Sequence, residues 1–294
     1  MLKSPSVGGN NMNLSTIEKK SALRMLGAKE EDMDSLLEYT NNAFSQRHDS
    51  GYNGILHRWS SLFSAAREHG AAYAINKHLV SGDKIITFDE PDTVEVELCE
   101  SIAGMIPVIT AGSVSDFESL VIGTVYRGKP YPHIKNQGAS FAYGERNRFI
   151  ILSRKPYSNV SAETMGLDES LWQEKSMAIR KAHECAHYYT KRYYGTSRNN
   201  LHDELIADFC GIWAAFSRYD ANLFMQFLDQ GRISIYIENL SNSGGAVVKE
   251  LAMRAAEWVE SWSISNDFKN LNETQRIDFL CRKELLGYAA LPVC

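Results

Sequence analysis

Apolar residues recur at helical spacing through 14–80. Leu23 and Leu26 are followed by Met33, Leu36 and Leu37, and a second stretch over 55–78 carries Leu62, Phe63, Ala66, Tyr73 and Ile75. This pattern predicts a helical N-terminal lobe. The rhythm changes at Ser81-Gly82-Asp83. Beyond it, KIITF at 84–88 and TVEVELC at 93–99 carry β-branched residues in partial alternation across the turn-forming Asp89-Glu90-Pro91-Asp92, which predicts a β-hairpin. Further strands are predicted at 120–126 and 148–152, with the irregular RGKPYPHIKNQG between them. Residues 81–155 thus read as a small mixed sheet.

From Asp168 the pattern is helical again. Asp168 or Ser170 can cap a helix that Gly195 stops, and Asn200, with Asp203 three residues on, can cap the next one to about 217. Helical stretches follow near 220–230, 247–263 and 273–288, the first two separated by SNSGG at 241–245, which reads as flexible. Residues 1–13, rich in Ser, Gly and Asn, read as a mobile tail. The expected organisation is therefore a tail (1–13), a helical lobe (14–80) and a larger domain (81–294), with its sheet at 81–155 and its helices at 168–294.

Composition narrows the function classes. With 294 residues and 44% hydrophobic positions, the chain can bury a sizeable core, which excludes disordered and collagen-like proteins. A formal charge of −5 and a pI near 5.9 give no electrostatic footprint for a phosphate backbone, so nucleic acid is not an expected partner. Lys3 is followed by no apolar leader segment, and no run approaches the roughly 20 apolar residues that span a bilayer. A cytoplasmic protein without membrane association is expected, although export by a signal-free route stays open. The five cysteines are odd in number and form no C-x-x-C pair, so reduced thiols are expected. Cys99 reads as a buried strand cysteine and Cys185 as a small core residue.

One constellation carries chemistry. His183-Glu184-Cys185-Ala186-His187 places two histidines four apart, one turn above each other on a helical face, so both imidazoles can reach one metal ion. Glu184 is rotated by about 100° from His183, which sets its carboxylate beside a metal-activated water as a general base. A catalytic zinc needs a third protein ligand and an open position. On the next helix Glu204 and Asp208 stand at i and i+4, so Glu204 can ligate and Asp208 can support, while Leu205, Ile206, Phe209, Ile212 and Trp213 pack the other side.

The pattern H-E-x-x-H, a turn, then E-x-x-A-D resembles the gluzincin zinc metallopeptidases, of which thermolysin is a member. The resemblance covers 180–213. It implies a zincin-like α+β fold, with a small mixed sheet, an active-site helix and a helical C-terminal lobe beside the helical N-terminal region. It also implies one zinc per chain on His183, His187 and Glu204, Glu184 as the base, and Asp208 accepting a hydrogen bond from the outer nitrogen of His183. A metzincin would need Gly and His where Thr190 and Tyr193 stand. A di-iron bundle would need a second Glu-x-x-His, and Ala207 follows Glu204 at that spacing.

Zincins set an edge strand beside the catalytic helix, on which substrate backbone pairs by strand addition. Gly138-Ala139-Ser140-Phe141-Ala142 resembles that segment. An oxyanion donor is expected among His202, Tyr189, Tyr193, Arg198 and Tyr236, with His202 the choice because it lies two residues before Glu204. The expected activity is hydrolysis of a peptide bond in a peptide or protein substrate. The alternatives are a sensor or binding protein whose metal site is structural or inactive, and a zinc hydrolase of a non-peptide amide.

Overall fold

The computed structural model describes residues 14–44, 46–48, 55–80, 84–143, 148–197 and 200–289. Residues 1–13, expected as a tail, the change of pattern at 81–83 and Arg198 lie outside the described residues. The chain is α+β, with a four-stranded sheet and many helices. In order, the helices and strands are α1 (Thr16–Met25), α2 (Met33–Tyr39), α3 (Ile55–His69), α4 (Ala71–His78), β1 (Glu95–Ser101), β2 (Gly104–Ala111), α5 (Val114–Leu120), β3 (Ala139–Tyr143), β4 (Arg148–Ser153), α6 (Ala162–Met165), α7 (Glu169–Tyr194) and α8 (Leu201–Phe216). The chain continues through α9 (Ala221–Asp229), α10 (Arg232–Tyr236), α11 (Asn242–Ser263), α12 (Asn266–Lys269), α13 (Glu273–Arg282) and α14 (Leu285–Ala289). No helix among the described residues is long and apolar enough to cross a membrane.

Two compact units form, Ser50–Tyr188 and Met1–Asp49 together with Tyr189–Cys294, the division falling inside α7. This differs from a boundary at residue 80, and side-chain contacts give the reason. Ser241 and Ser243 both bond the Asp32 carboxylate, Lys19 pairs with Glu284 at 2.9 Å, and the Asn42 amide donates to the Cys281 carbonyl. These tie α1 and α2 to the C-terminal helices. SNSGG is not a flexible spacer: Ser241 caps α11, and Gly244 and Gly245 are buried in its first turn. A Cβ at Gly245 would lie 2.9 Å from Ile237 Cδ1, so a larger residue there would displace the tip of that side chain.

The unit over 50–188 is built around the sheet, whose order is β1-β2-β4-β3. β1 and β2 form an antiparallel hairpin, β2 and β4 run parallel, and β3 returns antiparallel as the edge strand. One face, with Ile109, Ala111, Phe149 and Ile151, buries Trp59, Leu62, Ile75, Phe117 and Leu120 from α3, α4 and α5. The register places Glu97, Val108, Ile150 and Phe141 in one row on the other face. α7 lies along that face: Lys181 Nζ meets Glu97 at 2.6 Å, and the Phe141 ring packs edge-on to Tyr188 at 5.9 Å.

Three sequence expectations change here. The hairpin partner of 93–99 is β2, not KIITF. Residue 86 instead satisfies its backbone on the Asn76 side chain, which accepts from the Ile86 N–H at 2.7 Å and donates to its carbonyl at 2.9 Å. β2 contains Pro107, which reads against a central strand, yet its pairing with β4 starts only at Val108. Residues 120–126 are not a strand: Ser113 caps α5, which runs on as a π-helical turn over Val121–Val125 and buries Phe117, Leu120 and Val121. Burial at helical spacing overrides the β-branched composition. The single helix expected over 55–78 breaks at Gly70, whose φ of +89° only glycine adopts without strain.

Arg180 fixes α7 to the end of β4. Its buried guanidinium donates to the carbonyls of Ser153 and Lys155 at 2.9 Å each and of Pro156 at 3.3 Å. Replacing Arg180 by Met keeps the stem but leaves buried acceptors unmet, and urea unfolding should show a loss of about 2–4 kcal/mol. Arg154→Met, which removes only the exposed pair with Glu95, should stay within about 1 kcal/mol. Equal effects of the two variants would contradict the anchoring role.

Candidate metal centre

α7 begins where the Asp168 carboxylate accepts from the Leu171 N–H at 2.9 Å, and it ends before Gly195, which takes the left-handed conformation at φ +72°. Within it His183 and His187 stand one turn apart with their Nε2 atoms 3.0 Å from each other. A tetrahedral zinc with bonds of about 2.0–2.1 Å holds its nitrogen ligands a little over 3 Å apart, so the two imidazoles already have ligand spacing.

The outer nitrogen of His183 meets a group the sequence did not single out. Tyr157 Oη lies 3.0 Å from His183 Nδ1, in the position expected for Asp208. With the tyrosine oxygen accepting, Nδ1 carries the proton and Nε2 presents its lone pair. Tyr157 is itself fixed. Its backbone N–H donates to Ser176 Oγ at 3.0 Å, its ring lies 5.7 Å from the Arg180 guanidinium, and Ser158 and Asn159 after it take left-handed φ values of 49° and 57°. Burial lowers the Arg180 pKa to about 10, opposed by Tyr157 and Glu184. Glu184 is half-buried, one turn beyond Arg180 on the same helix.

α8 starts at Asn200, whose side chain accepts from the Asp203 N–H at 3.2 Å. Its first turns are buried throughout, Glu204 at 3% and Asp208 at 0% exposure. Arg232 grips both carboxylates: Nη2 reaches Glu204 Oε2 at 2.5 Å, and Nη1 reaches Asp208 Oδ2 at 3.0 Å and Oδ1 at 3.3 Å. Its Nε donates to Tyr236 Oη at 3.2 Å, and burial raises the Tyr236 pKa well above its ordinary value. Such a fork fixes the rotamers of both acids. His183, His187 and Glu204 each offer one ligand atom, and these atoms all lie within 4.8 Å of one another. Two imidazoles and a carboxylate are a donor set that suits zinc.

Other expected residues lie elsewhere. His202 is a core residue: its ring packs edge-on to Phe44 at 5.2 Å and Tyr288 at 6.0 Å, and its Nε2 bonds the Leu280 carbonyl at 3.0 Å. Burial lowers its pKa to about 4, so it is neutral at pH 7. Two helical positions separate it from Glu204 by about 200° around α8, which points the two side chains to different faces. Tyr189 donates to Asp278 at 2.8 Å, and the Tyr193 ring stacks under Arg47 at 4.7 Å. Among the described donor candidates, Tyr236 is the one linked to Glu204 through a shared arginine.

Ala139, Ser140, Phe141 and Ala142 belong to the edge strand β3, and Gly138 immediately precedes it. Gly138 has no room for a side chain, because a Cβ would sit 2.8 Å from Arg180 Nη2. Tyr157, Arg180 and Arg232 were missed by sequence reasoning. Arg180 stands three residues before His183 and could have been noticed, but nothing in the spacing of Tyr157 or Arg232 connects them to the motif.

No curated protein and no solved structure matches the chain. A family model does match, over residues 81–148 and 143–291, which together make up more than half of the sequence and include the sheet, α7 and α8. The chain therefore belongs to DUF7005, a family of unknown function.

Proposed function

We propose that the chain is a zinc-dependent peptidase of zincin-like fold, with His183, His187 and Glu204 as ligands and Glu184 as general base. The observation that carries this reading is the pair of His Nε2 atoms 3.0 Å apart, with a Glu204 carboxylate oxygen in the same cluster. A zinc ion bound there supplies a Lewis acid that polarises a carbonyl and lowers the pKa of a water toward about 7.

The residues of the chain do the rest. Glu184, next to His183 in the helix and outside the ligand set, takes a proton from the attacking water and delivers it to the leaving amine. Tyr157 holds the His183 ring in the tautomer that ligates, and Arg232 orients the Glu204 carboxylate. The edge strand β3 pairs with only one strand, β4, among the described residues, which leaves its other edge for the backbone of an extended peptide. Main-chain pairing of that kind favours a peptide over an isolated small amide.

The test separates metal binding from turnover. Wild-type protein should hold one zinc per chain by elemental mass spectrometry, and His183→Ala and Glu204→Ala should lose it. Glu184→Gln should keep its zinc while cleavage of a peptide library falls by about 10²–10⁴. Cleavage undiminished in Glu184→Gln, or a zinc-loaded wild type that cleaves no peptide, would overturn the peptidase reading.

Tyr157→Phe probes the supporting hydrogen bond. Zinc affinity, measured by competition with a chelator, should fall by about 10- to 100-fold. Affinity equal to wild type would mean that the Tyr157 hydroxyl does not orient the ligand.

A further inference from the structure

α13 carries two opposite charges on one face. The Asn272 side chain accepts from the Gln275 N–H, and the Gln275 side chain accepts from the Asn272 N–H, at 2.9 Å each, so Glu273 opens the helix and Arg276 follows at i+3. Side chains at that spacing are neighbours and can pair. These two do not, because the Arg276 guanidinium is drawn aside. Its Nε donates to the Phe268 carbonyl at 3.3 Å, and its carbon lies 3.9 Å from the centre of the Phe268 ring and 5.5 Å from that of Trp213. Those contacts engage Nε and the aromatic rings. Among the described residues, Nη1 and Nη2 of Arg276 and the Glu273 carboxylate enter no hydrogen bond or ion pair.

Both open charges face a cleft of about 250 Å³ between α8 and α13, whose apolar side is made by Phe209, Trp213, Ala214 and Ile277. Phe209 and Ile277 are buried, Trp213 is half-buried and Glu273 is exposed, which gives the cleft a packed apolar floor and a charged mouth. Pockets that enclose drug-sized ligands run from about 300 to 1,000 Å³, so this one suits something smaller. A lone anion on Arg276 would be repelled by Glu273, and a lone cation on Glu273 would be repelled by Arg276. A ligand with both charges satisfies both residues.

We propose that the cleft between α8 and α13 binds a free α-amino acid with an apolar side chain, its carboxylate on Arg276, its ammonium on Glu273 and its side chain against Trp213 and Phe209. The two charged groups of an α-amino acid hang on one carbon, close enough together to meet two side chains that are about 5–6 Å apart at Cβ. The terminal nitrogens of a guanidinium lie in one plane and match a carboxylate in a bidentate pair. Trp213 follows Glu204 by nine positions, about 180° around α8, so the cleft opens on the opposite side of that helix from the Glu204 carboxylate. Binding there is independent of zinc and of the peptidase reading.

The full-length protein is titrated with L-leucine at pH 7 in the presence of EDTA, which removes any metal-held ligand, and binding is read by saturation-transfer NMR on the leucine methyl groups. Saturable binding with a dissociation constant tighter than about 10 mM is expected. 4-Methylpentanoate, which lacks the ammonium, and 3-methylbutylamine, which lacks the carboxylate, should each bind about tenfold more weakly or worse. Glu273→Gln changes an exposed side chain that supports no other contact, and Arg276→Gln removes the fork; each should weaken L-leucine binding by about tenfold or more. No saturation by about 10 mM, equal binding of either one-charge analogue, or an unchanged affinity in Glu273→Gln would overturn the proposal.

Discussion

A single buried guanidinium sets the frame on which the candidate centre is built. Arg180 is buried, and a charge so placed persists only where polar groups surround it. Three carbonyls from 153–156 do so, and the geometry they enforce fixes both the height of α7 on the sheet and the path of the chain after β4. That path delivers Tyr157 to His183. The same guanidinium occupies the space beside Gly138, so the start of the edge strand is held by the residue that holds the helix. Catalytic groups need positioning to within about half an ångström, and such rigidity comes from side chains that are themselves locked.

Glu204 and Asp208 follow a second version of the same logic. Two buried carboxylates one turn apart repel each other unless a cation lies between them, and Arg232 reaches both with separate nitrogens. The fork anchors Glu204 through Oε2. Tyr236 on the far side of the guanidinium completes the line and stays protonated because burial disfavours its anion.

The short-range features were legible in the sequence. Asn200, Asp168 and Gly195 mark the ends of α7 and α8 through capping chemistry that depends on neighbouring residues, and H-E-x-x-H shares a face because helical periodicity requires it. The segment 138–142, expected as an edge strand from its resemblance to that of zincins, and the strand expected at 148–152 correspond to β3 and β4. What failed depends on distant partners. KIITF has strand composition, but Asn76 takes its backbone bonds; 120–126 has strand composition, but the sheet beneath it buries every third or fourth residue. His202 looked catalytic by its place two residues before Glu204, and the helix turns it into the core. Tyr157 and Arg232 could not be found at all, because their roles come from where loops and a short helix end in space.

X-ray absorption at the zinc K-edge of the metal-loaded protein tests the central claim most directly, because it reads the ligand set without reference to any substrate. The account predicts a four-coordinate shell of nitrogen and oxygen at about 2.0–2.1 Å, with the outer-shell scattering of two imidazoles. A sulfur shell near 2.3 Å, or a six-coordinate oxygen shell without imidazole scattering, would contradict it.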